Sequence, residues 1–333
     1  MTGFPRHWTQ RGALAYLLLP MTALYALAVW IRRLAYALGL LAQTRLRVPV
    51  IIVGNLLAGG TGKTPVVIGL VEALRAAGYK PGVISRGYGG SATGAMEVKG
   101  ATDPAIAGDE PVLIAQRTGC PVWIGRHRAA AGAALLATNP ECNVIVSDDG
   151  LQHFALARTA GIAVFDERGA GNGWPLPSGP LREPLSAANA VDFVLYQGLS
   201  AAPVAHGHAY AFHLDSREFL EVGNGGRTAA ASAFGDKRVA AIAGIGNPQR
   251  FFRQLSDLGI HAHCVAFPDH HAFVAEDLDI AGADVVLMTE KDAVKCRAFA
   301  RRECWALRVE AALPAAFCAA VLERVAKERP DGR

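Results

Sequence analysis

A β-branched apolar run is followed directly by a glycine-rich turn and a Gly-Lys-Thr triplet, in the order RVPVIIVGNLLAGGTGKTP over residues 47–65. The run before Gly54 predicts a buried parallel strand, and apolar residues on one face of residues 63–77 predict a helix. This succession of strand, glycine turn and helix is the context in which a phosphate-binding loop has meaning. The chain is therefore expected to form a layered α/β fold with a nucleotide site at the end of one strand.

The loop departs at one position from the usual pattern GxxxxGK[ST], because Leu57 stands where that pattern has glycine. The backbone amides that follow can still wrap a phosphate, since glycine permits the dihedral angles and the close approach. The amino end of the helix adds partial positive charge. We expect the lysine to bridge the β- and γ-phosphates of ATP and the threonine hydroxyl to ligate Mg²⁺. The expected nucleotide-binding residues are Gly59, Gly60, Thr61, Gly62, Lys63 and Thr64.

Strand and helix patterns alternate through the next part of the chain, which predicts a mainly parallel sheet. Further strands are predicted at residues 81–85, 121–125, 143–149, 161–167 and 192–196, with helices near residues 110–117 and 127–137.

A change of composition marks a domain boundary. Two alternating runs around an Asp-Ser turn in residues 209–222 predict an antiparallel hairpin, and a stretch rich in Gly, Ala and Ser follows. A second, smaller α/β unit then begins, and its last helix is predicted over residues 314–327. We expect a helical segment over residues 1–44, a phosphate-loop domain over 45–206, a hairpin linker over 207–235 and a smaller α/β domain over 236–333.

The first fifth of the chain is apolar and basic. Residues 13–31 carry no charge, and no Asp or Glu occurs before Glu72, although the whole chain has a formal net charge of only +4. The pair Arg32 and Arg33 separates this run from a second apolar run over residues 34–42. We expect this segment to associate with a membrane.

Three arrangements of the segment compete. A cleaved signal peptide fits the small residues at 26–28, but it would export a phosphate loop to a place without ATP. A spanning helix fits by length, but Pro20 interrupts it and arginines on both sides give no direction for crossing. We favour a helix or helical hairpin that lies in the cytoplasmic face, with arginines on anionic headgroups. A soluble helical cap with an ordinary apolar core is the alternative.

Two pairs of adjacent acids are candidates for the chemistry. Asp148 and Asp149 end a hydrophobic strand, where a phosphate-loop fold places Mg²⁺-binding carboxylates; alternatively they cap the Asp-Gly turn. Asp109 and Glu110 stand just before a helix. Since adjacent side chains diverge, one could face a metal and the other a substrate hydroxyl. Helix-capping acids are the alternative.

Other polar groups give weaker signals. Arg86, in the loop SRGYGG, could bind an anionic group, and a histidine of the segment PDHH at residues 268–271 could polarise a carboxylate or shuttle a proton. Ordinary loop residues would look the same. The six cysteines have no spacing suited to zinc, so we expect free thiols in a reducing cytosol.

Eight motifs in one order make the sequence recognisable: GNLLAGGTGKTP, SRGYGG, GDEP, SDDGLQH, PLPSGPLREP, AIAGIGNPQRFF, FPDHHAF and MTEKDAVK. Together they resemble the tetraacyldisaccharide 4′-kinase family of lipid A biosynthesis. The family's loop has the same GGTGKTP form, so Leu57 departs only from the general pattern. The resemblance implies two α/β/α domains joined by a two-stranded linker, with a membrane-docking N-terminal helix.

The same resemblance implies the reaction. The γ-phosphate of ATP would be transferred to the 4′-hydroxyl of a tetraacylated glucosamine disaccharide 1-phosphate, a glycolipid, at the cytoplasmic face of the bacterial inner membrane. The family's catalytic aspartate falls on Asp109 and its assisting histidine on His270, with Lys63 neutralising charge. Metal ligation falls on Thr64 and Glu110, with Asp148 and Asp149 near the Mg²⁺ or the substrate.

We expect a monomer, bound peripherally or monotopically to anionic lipids, with no nucleic-acid partner. The weaker candidates for binding the disaccharide or its 1-phosphate are Arg86, Gln152, His153, Asn172 and Arg182. A membrane-associated NTPase or GTPase switch is the rival enzyme, but the nearest match to the [NT]KxD element that reads guanine, TEKD at residues 289–292, has its lysine one place late. An ATP-dependent membrane scaffold is the rival without catalysis.

Overall fold

The computed structural model describes residues 5–223, 226–300 and 303–328. The first four residues of the expected N-terminal segment, residues 224–225 of the expected linker, and residues 301–302 and 329–333 of the expected second domain lie outside the described residues.

The N-terminal segment is helical, as expected. Its helices are α1 (Arg6–Thr9), α2 (Ala13–Leu17) and α3 (Leu19–Ala37). Helix α3 is fastened to the phosphate-loop domain by polar contacts: the Thr22 hydroxyl donates to Ser178 Oγ at 2.7 Å, and the Tyr25 hydroxyl donates to the Arg182 carbonyl at 2.7 Å. Much of its apolar surface stays exposed, including Leu24 at 69%. Over the described ranges, no helix is both long and apolar enough to span a membrane.

An eight-stranded sheet forms the centre of the first domain, in the order β3-β4-β2-β5-β1-β6-β7-β8, and all neighbours are parallel except β3 and β4. Its strands are β1 (Val50–Gly54), β2 (Pro81–Ser85), β3 (Met96–Val98), β4 (Val122–Ile124), β5 (Val144–Asp148), β6 (Ala160–Phe165), β7 (Phe193–Tyr196) and β8 (Ala209–Ala211). Strands β1, β2, β5 and β6 are buried along their whole length because helices cover both faces. The strands predicted in this region are confirmed.

The helices of this domain are α4 (Lys63–Ala76), α5 (Pro104–Ala107), α6 (Asp109–Thr118) and α7 (Arg128–Thr138). Apolar residues of α4 and α6 share one core cluster with one face of the sheet, and α7 packs into the cluster on the other face. Strand β1 therefore leads into α4 at the centre of the sheet. Strand β5, which ends at Asp148, is its direct neighbour.

A second sheet of six strands forms the other domain, in the order β11-β10-β15-β14-β12-β13. The other strands within the described residues are β9 (His213–Asp215), β10 (Glu218–Glu221), β11 (Thr228–Ala230), β12 (Val239–Ala243), β13 (Ala262–Ala266), β14 (Val285–Thr289), β15 (Cys304–Leu307) and β16 (Glu310–Ala312). The remaining helices are α8 (Pro248–Asp257), α9 (Glu290–Cys296) and α10 (Ala315–Lys327), and short 3₁₀ turns cover Leu185–Ala190, Ala231–Phe234 and Ala275–Leu278. The expected fold class, two layered α/β domains with a two-stranded connection, is confirmed.

The strand pairing of the connection differs from the predicted hairpin. The two alternating runs of residues 209–222 do not pair with each other: β8 joins the first sheet, β9 pairs with β16, and β10 joins the second sheet. The local pattern could not reveal this, because the partner of β9 is supplied by the chain as it returns near its end. Two crossings of the chain, rather than one, therefore connect the domains.

The last helix also lies elsewhere than expected. Phe317, Val321 and Val325 of α10 are fully buried in the core cluster that contains α4 and β6. The helix expected to complete the smaller unit therefore packs on the first domain, because its apolar face finds its partner there. We propose that the smaller domain spans residues 236–314, that residues 315–328 belong to the first domain, and that the bounds 45–206 and 207–235 are unchanged.

Candidate active site

The phosphate loop lies between β1 and α4, and its own side chains hold its shape. Gly59 and Gly62 have φ angles of 85° and 76°, in the left-handed region that favours glycine. The Asn55 amide donates to the Gly59 carbonyl and to the Thr61 hydroxyl, both at 3.1 Å. The Arg168 guanidinium donates to the carbonyl of Gly60. The loop is thereby organised by contacts within the protein.

The structure explains why leucine stands at position 57. Its side chain is fully buried in the cluster on the α7 face, and its backbone forms a β-bridge with Leu181. The neighbouring amide of Ala58 donates to the Pro180 carbonyl at 2.8 Å. A leucine at this position therefore fastens the start of the phosphate loop to the segment that also holds α3.

Lys63 follows the loop and faces the acids at the end of β5. Its ammonium lies 3.3 Å from Asp149 Oδ1, and Arg182 donates to both oxygens of Asp149 at 3.2 Å. Burial alone would raise the pKa of Asp149, but Lys63 and Arg182 outweigh it and hold the pKa below its usual range. Asp149 therefore stays ionised between two cations.

Asp148 is in the opposite situation. It is 1% exposed, its Oδ2 accepts a 3.4 Å hydrogen bond from Ser85, and its Oδ1 is buried with no hydrogen-bond partner among the described residues. Burial, followed by repulsion from Glu110, raises its pKa to about 7. A buried carboxylate oxygen without a partner is a natural ligand for a cation.

The residues present fit Mg²⁺, with one restriction. Within the described part of the chain, no three His, Cys, Asp or Glu side chains come together as a ready-made metal site. Mg²⁺ commonly takes only one or two protein carboxylates and completes its shell with phosphates and water. Asp148 and the buried hydroxyl of Thr64 are therefore suitable ligands beside a bound nucleotide.

Asp109 and His270 meet across the two domains. Gly108, with a φ of 86°, precedes the start of α6 at Asp109, and the loop after β13 brings His270 Nδ1 to 3.1 Å from Asp109 Oδ2. His270 itself has a φ of 58°, which is uncommon for a residue with a side chain, and its amide donates to the Gly244 carbonyl at 3.1 Å. The structure therefore brings together the two residues that the sequence predicts as a catalytic pair.

The electrostatics of this pair favour the charged forms. Burial would raise the pKa of Asp109, which is 5% exposed, but the hydrogen bond from His270 and the charges of Lys291 and Lys295 hold it below its usual range. The same hydrogen bond raises the pKa of His270. An ionised Asp109 that is fixed by His270 can accept or orient a proton.

Helices α6 and α9 carry the contact between the domains. Lys291 pairs with Glu110 beside Asp109, and Arg117 lies 2.5 Å from Glu290 further along the same two helices. The sequence points to Lys291 only as the lysine of TEKD, which stands one place late for reading guanine. A lysine beside a helix-capping threonine gives no local signal that it faces acids of another domain.

The residues predicted to bind the substrate differ in where they lie and in which groups they contact. Gln152 donates to the Asn55 carbonyl at 3.1 Å, and Arg182 lies against Asp149. His153 is partly buried beside several arginines, so its pKa falls to about 4, and Arg86 is exposed nearby. Asn172 differs, because its amide group is used within the loop that holds the N-terminal helices: it bonds the His7 and Ser178 carbonyls and the Trp174 amide.

Comparison with known proteins agrees with this arrangement. The sequence model of the family described as Tetraacyldisaccharide-1-P 4′-kinase matches residues 14–326. The chain belongs to this family.

Relatives in the tetraacyldisaccharide 4′-kinase family share most of their length with this chain. A tetraacyldisaccharide 4′-kinase of Azoarcus sp. (strain BH72) is 50% identical over 328 residues, which cover 98% of this chain and 96% of the relative. One from Aromatoleum aromaticum is 46% identical, with 98% of each chain covered. Among solved structures, the "apo" form of LpxK from Aquifex aeolicus in complex with ATP matches with a TM-score of 0.80 at 27% identity, over 95% of this chain and 99% of the other.

The contacts of Asp292 argue against the GTPase alternative. Asp292, the acid of the TEKD segment, is completely buried and accepts hydrogen bonds from the Gly244 amide at 3.1 Å and the Thr289 hydroxyl at 2.7 Å. It holds Thr289, the residue that caps its helix, and it fixes the neighbouring loop. It is therefore not placed to read a guanine base.

Proposed function

We infer that the protein is an ATP-dependent kinase that transfers the γ-phosphate to the 4′-hydroxyl of a tetraacyldisaccharide 1-phosphate, a lipid A precursor. The observation that carries this inference is the 3.1 Å contact between Asp109 and His270, formed between two domains of a chain that also has an organised phosphate loop. A simple nucleotide switch has no need of a buried base completed by a second domain. A kinase benefits from one, because closure excludes water from the transferred phosphate.

We propose that Asp109 accepts or orients the proton of the attacking hydroxyl. Its 5% exposure removes competing water, and His270 keeps it ionised and aimed. Lys63 neutralises charge on the β- and γ-phosphates, which is the main work that phosphoryl transfer asks of a protein. Gly59, Gly60, Thr61 and Gly62 contribute the amides that cradle the phosphates.

We further propose Thr64, Glu110, Asp148 and Asp149 as the residues that hold Mg²⁺, with Asp148 as the main carboxylate. Mg²⁺ would supply charge neutralisation on the phosphates. The partnerless oxygen of Asp148 supports this assignment. Asp149 is already paired with Lys63 and Arg182, so its main role is to hold those two cations in place.

The acceptor is proposed to approach past α3 from the cytoplasmic face of the bacterial inner membrane. Exposed apolar side chains of α3, such as Leu24, would enter the acyl boundary, and nearby arginines would face anionic headgroups. Arg86, Gln152, His153 and Arg182 are proposed to contact the disaccharide or its 1-phosphate, and we propose a monomeric, peripheral enzyme. Asn172 is proposed only to support this region from within the loop.

The test is transfer of label from [γ-³²P]ATP to tetraacyldisaccharide 1-phosphate in detergent micelles. We expect label on the lipid, competition by unlabelled ATP rather than GTP, and loss of transfer in Asp109→Asn with the KM for ATP little changed. Label that appears only as free phosphate would identify an NTPase instead. An Asp109→Asn variant with near-normal turnover would remove Asp109 from the mechanism.

A further inference from the structure

Lys291 occupies a position that the proposed mechanism has not used. It lies in the first turn of α9 in the second domain, and its ammonium pairs with Glu110 at the start of α6 in the first. Its charge also acts on Asp109 and Asp148, which stand on different elements. One cation from the second domain therefore faces three acids of the first.

This pairing is not needed to hold the two helices together. Arg117 and Glu290, both with 9% of the side chain exposed, already join α6 to α9 away from the acids. Val294 of α9 also belongs to the core cluster that includes α6. Lys291 is more exposed, at 28% of its side chain, and lies at the end of the interface where the acids are. Its position fits a role towards the acid cluster of Asp109, Glu110 and Asp148 better than it fits a purely structural tie between the helices.

Lys63 and Lys291 approach Asp148 from different domains. Lys63 follows the phosphate loop and Lys291 comes from α9, and both act electrostatically on Asp148. The Lys291 ammonium balances negative charge on Asp109, Glu110 and Asp148. If Glu110 held Mg²⁺, as proposed above, Lys291 would be left without that partner, and its flexible four-carbon stem with three donors could reach another anion. Because Lys63 of the phosphate loop also acts on Asp148, the terminal phosphate of a bound nucleotide would bring new negative charge to the same group of acids.

We propose that Lys291 is a catalytic residue supplied by the second domain: it exchanges Glu110 for the γ-phosphate of bound ATP and stabilises the charge on that group during transfer. The proposal rests on the kinase function inferred above. With Lys291 in this role, one closure of the two domains brings His270 to Asp109 and also brings a cation to the transferred phosphate. A cation delivered from outside the phosphate-loop domain is a general device of phosphoryl transfer.

The test compares Lys291→Met, Lys291→Gln and Lys291→Arg with a matched control, Lys237→Met, which removes a half-exposed lysine paired with Glu303 in the same domain. We expect Lys291→Met to lower kcat about 100-fold with the KM for ATP within about threefold, because one charge-assisted contact is lost mainly from the transition state. Lys291→Arg should stay within about tenfold of the wild type. Lys237→Met should not change kcat.

A second measurement separates this role from a structural one. Mn²⁺ binding to the ADP-bound protein, which has no γ-phosphate for Lys291 to contact, should tighten about fivefold or more in Lys291→Met in electron paramagnetic resonance, because a competing cation leaves the acids. If Lys291 only tied the domains together, its loss would loosen the acid cluster, and Mn²⁺ binding would weaken. Lys291→Gln serves if the methionine variant does not fold.

Each outcome is decisive. Slow transfer together with tighter Mn²⁺ binding in the neutral variants supports the proposal. A kcat within about threefold of the wild type overturns it, and so does slow transfer with unchanged or weaker Mn²⁺ binding. A wild-type protein that fails to phosphorylate the lipid overturns the proposed function itself, and the role of Lys291 on the γ-phosphate falls with it.

Discussion

Removing the His270 imidazole isolates what the second domain contributes to the proposed base. In His270→Ala, Asp109 loses a 3.1 Å hydrogen bond to a charged partner while it stays 5% exposed. Such a bond contributes about 1.5–3 kcal/mol, which corresponds to a loss in kcat of about 10- to 150-fold. The loss should be smaller than that of Asp109→Ala, because Lys291 and Lys295 still favour the ionised acid.

The pH profile gives the sharper signature. Burial raises the pKa of Asp109, and the bond from His270 is the largest of the effects that lower it. Without His270 the pKa of Asp109 rises, so a larger fraction of the base is protonated on the acid side. The defect of His270→Ala should therefore be greatest at low pH and should shrink as the pH rises. The assay is kcat for lipid phosphorylation measured between about pH 5.5 and 9.

His271 offers the matched control. It lies next in the chain, but its Nε2 contacts Asp277 at 2.9 Å rather than Asp109. His271→Ala should keep the wild-type shape of the pH profile, and melting temperatures should be recorded for both variants. A His270→Ala enzyme within twofold of the wild type at all pH values would refute the reasoning. So would a loss that is the same at every pH.

Three further perturbations follow from the same contacts. The pKa of Asp148 is about 7 in the folded protein against an ordinary value of 3.8, so folding favours the protonated carboxyl. The stabilisation that this gives is fully present below about pH 4 and is lost as the pH rises through 7. Asp148→Asn should therefore abolish phosphate transfer. In thermal unfolding it should raise the Tm of the nucleotide-free protein by roughly 2–8 °C at pH 8 and by much less at pH 5. A lower Tm at pH 8 would contradict this. Thr22→Val removes the bonds to Ser178 at 2.7 and 3.0 Å, and should lower Tm slightly and weaken kcat/KM for lipid, but not the KM for ATP, in steady-state assays. Leu24→Glu with Leu27→Glu, at sites 69% and 51% exposed, should leave Tm unchanged and reduce binding to anionic vesicles about tenfold in sedimentation, and unchanged binding would remove α3 from the membrane contact.

The phosphate loop and the sheet could be predicted from the sequence because their signals are local. Apolar runs such as Pro81–Ser85 are buried on both faces, so their composition alone marks them as strands. The loop depends on glycine dihedrals and on a lysine and a threonine in direct succession. Asp148 could be placed near the loop because the carboxyl ends of parallel strands meet at one edge of the sheet.

The sequence by itself therefore determined the fold class, the phosphate site and, through the ordered motifs, the family. Only the tertiary structure decided which distant groups meet: β9 with β16, α10 with the first sheet, Asp109 with His270, and Lys291 with Glu110. These contacts join residues about 100 or more positions apart. The sequence around one partner does not identify the other. The free energy gained by burying the two together is available only after both domains have folded.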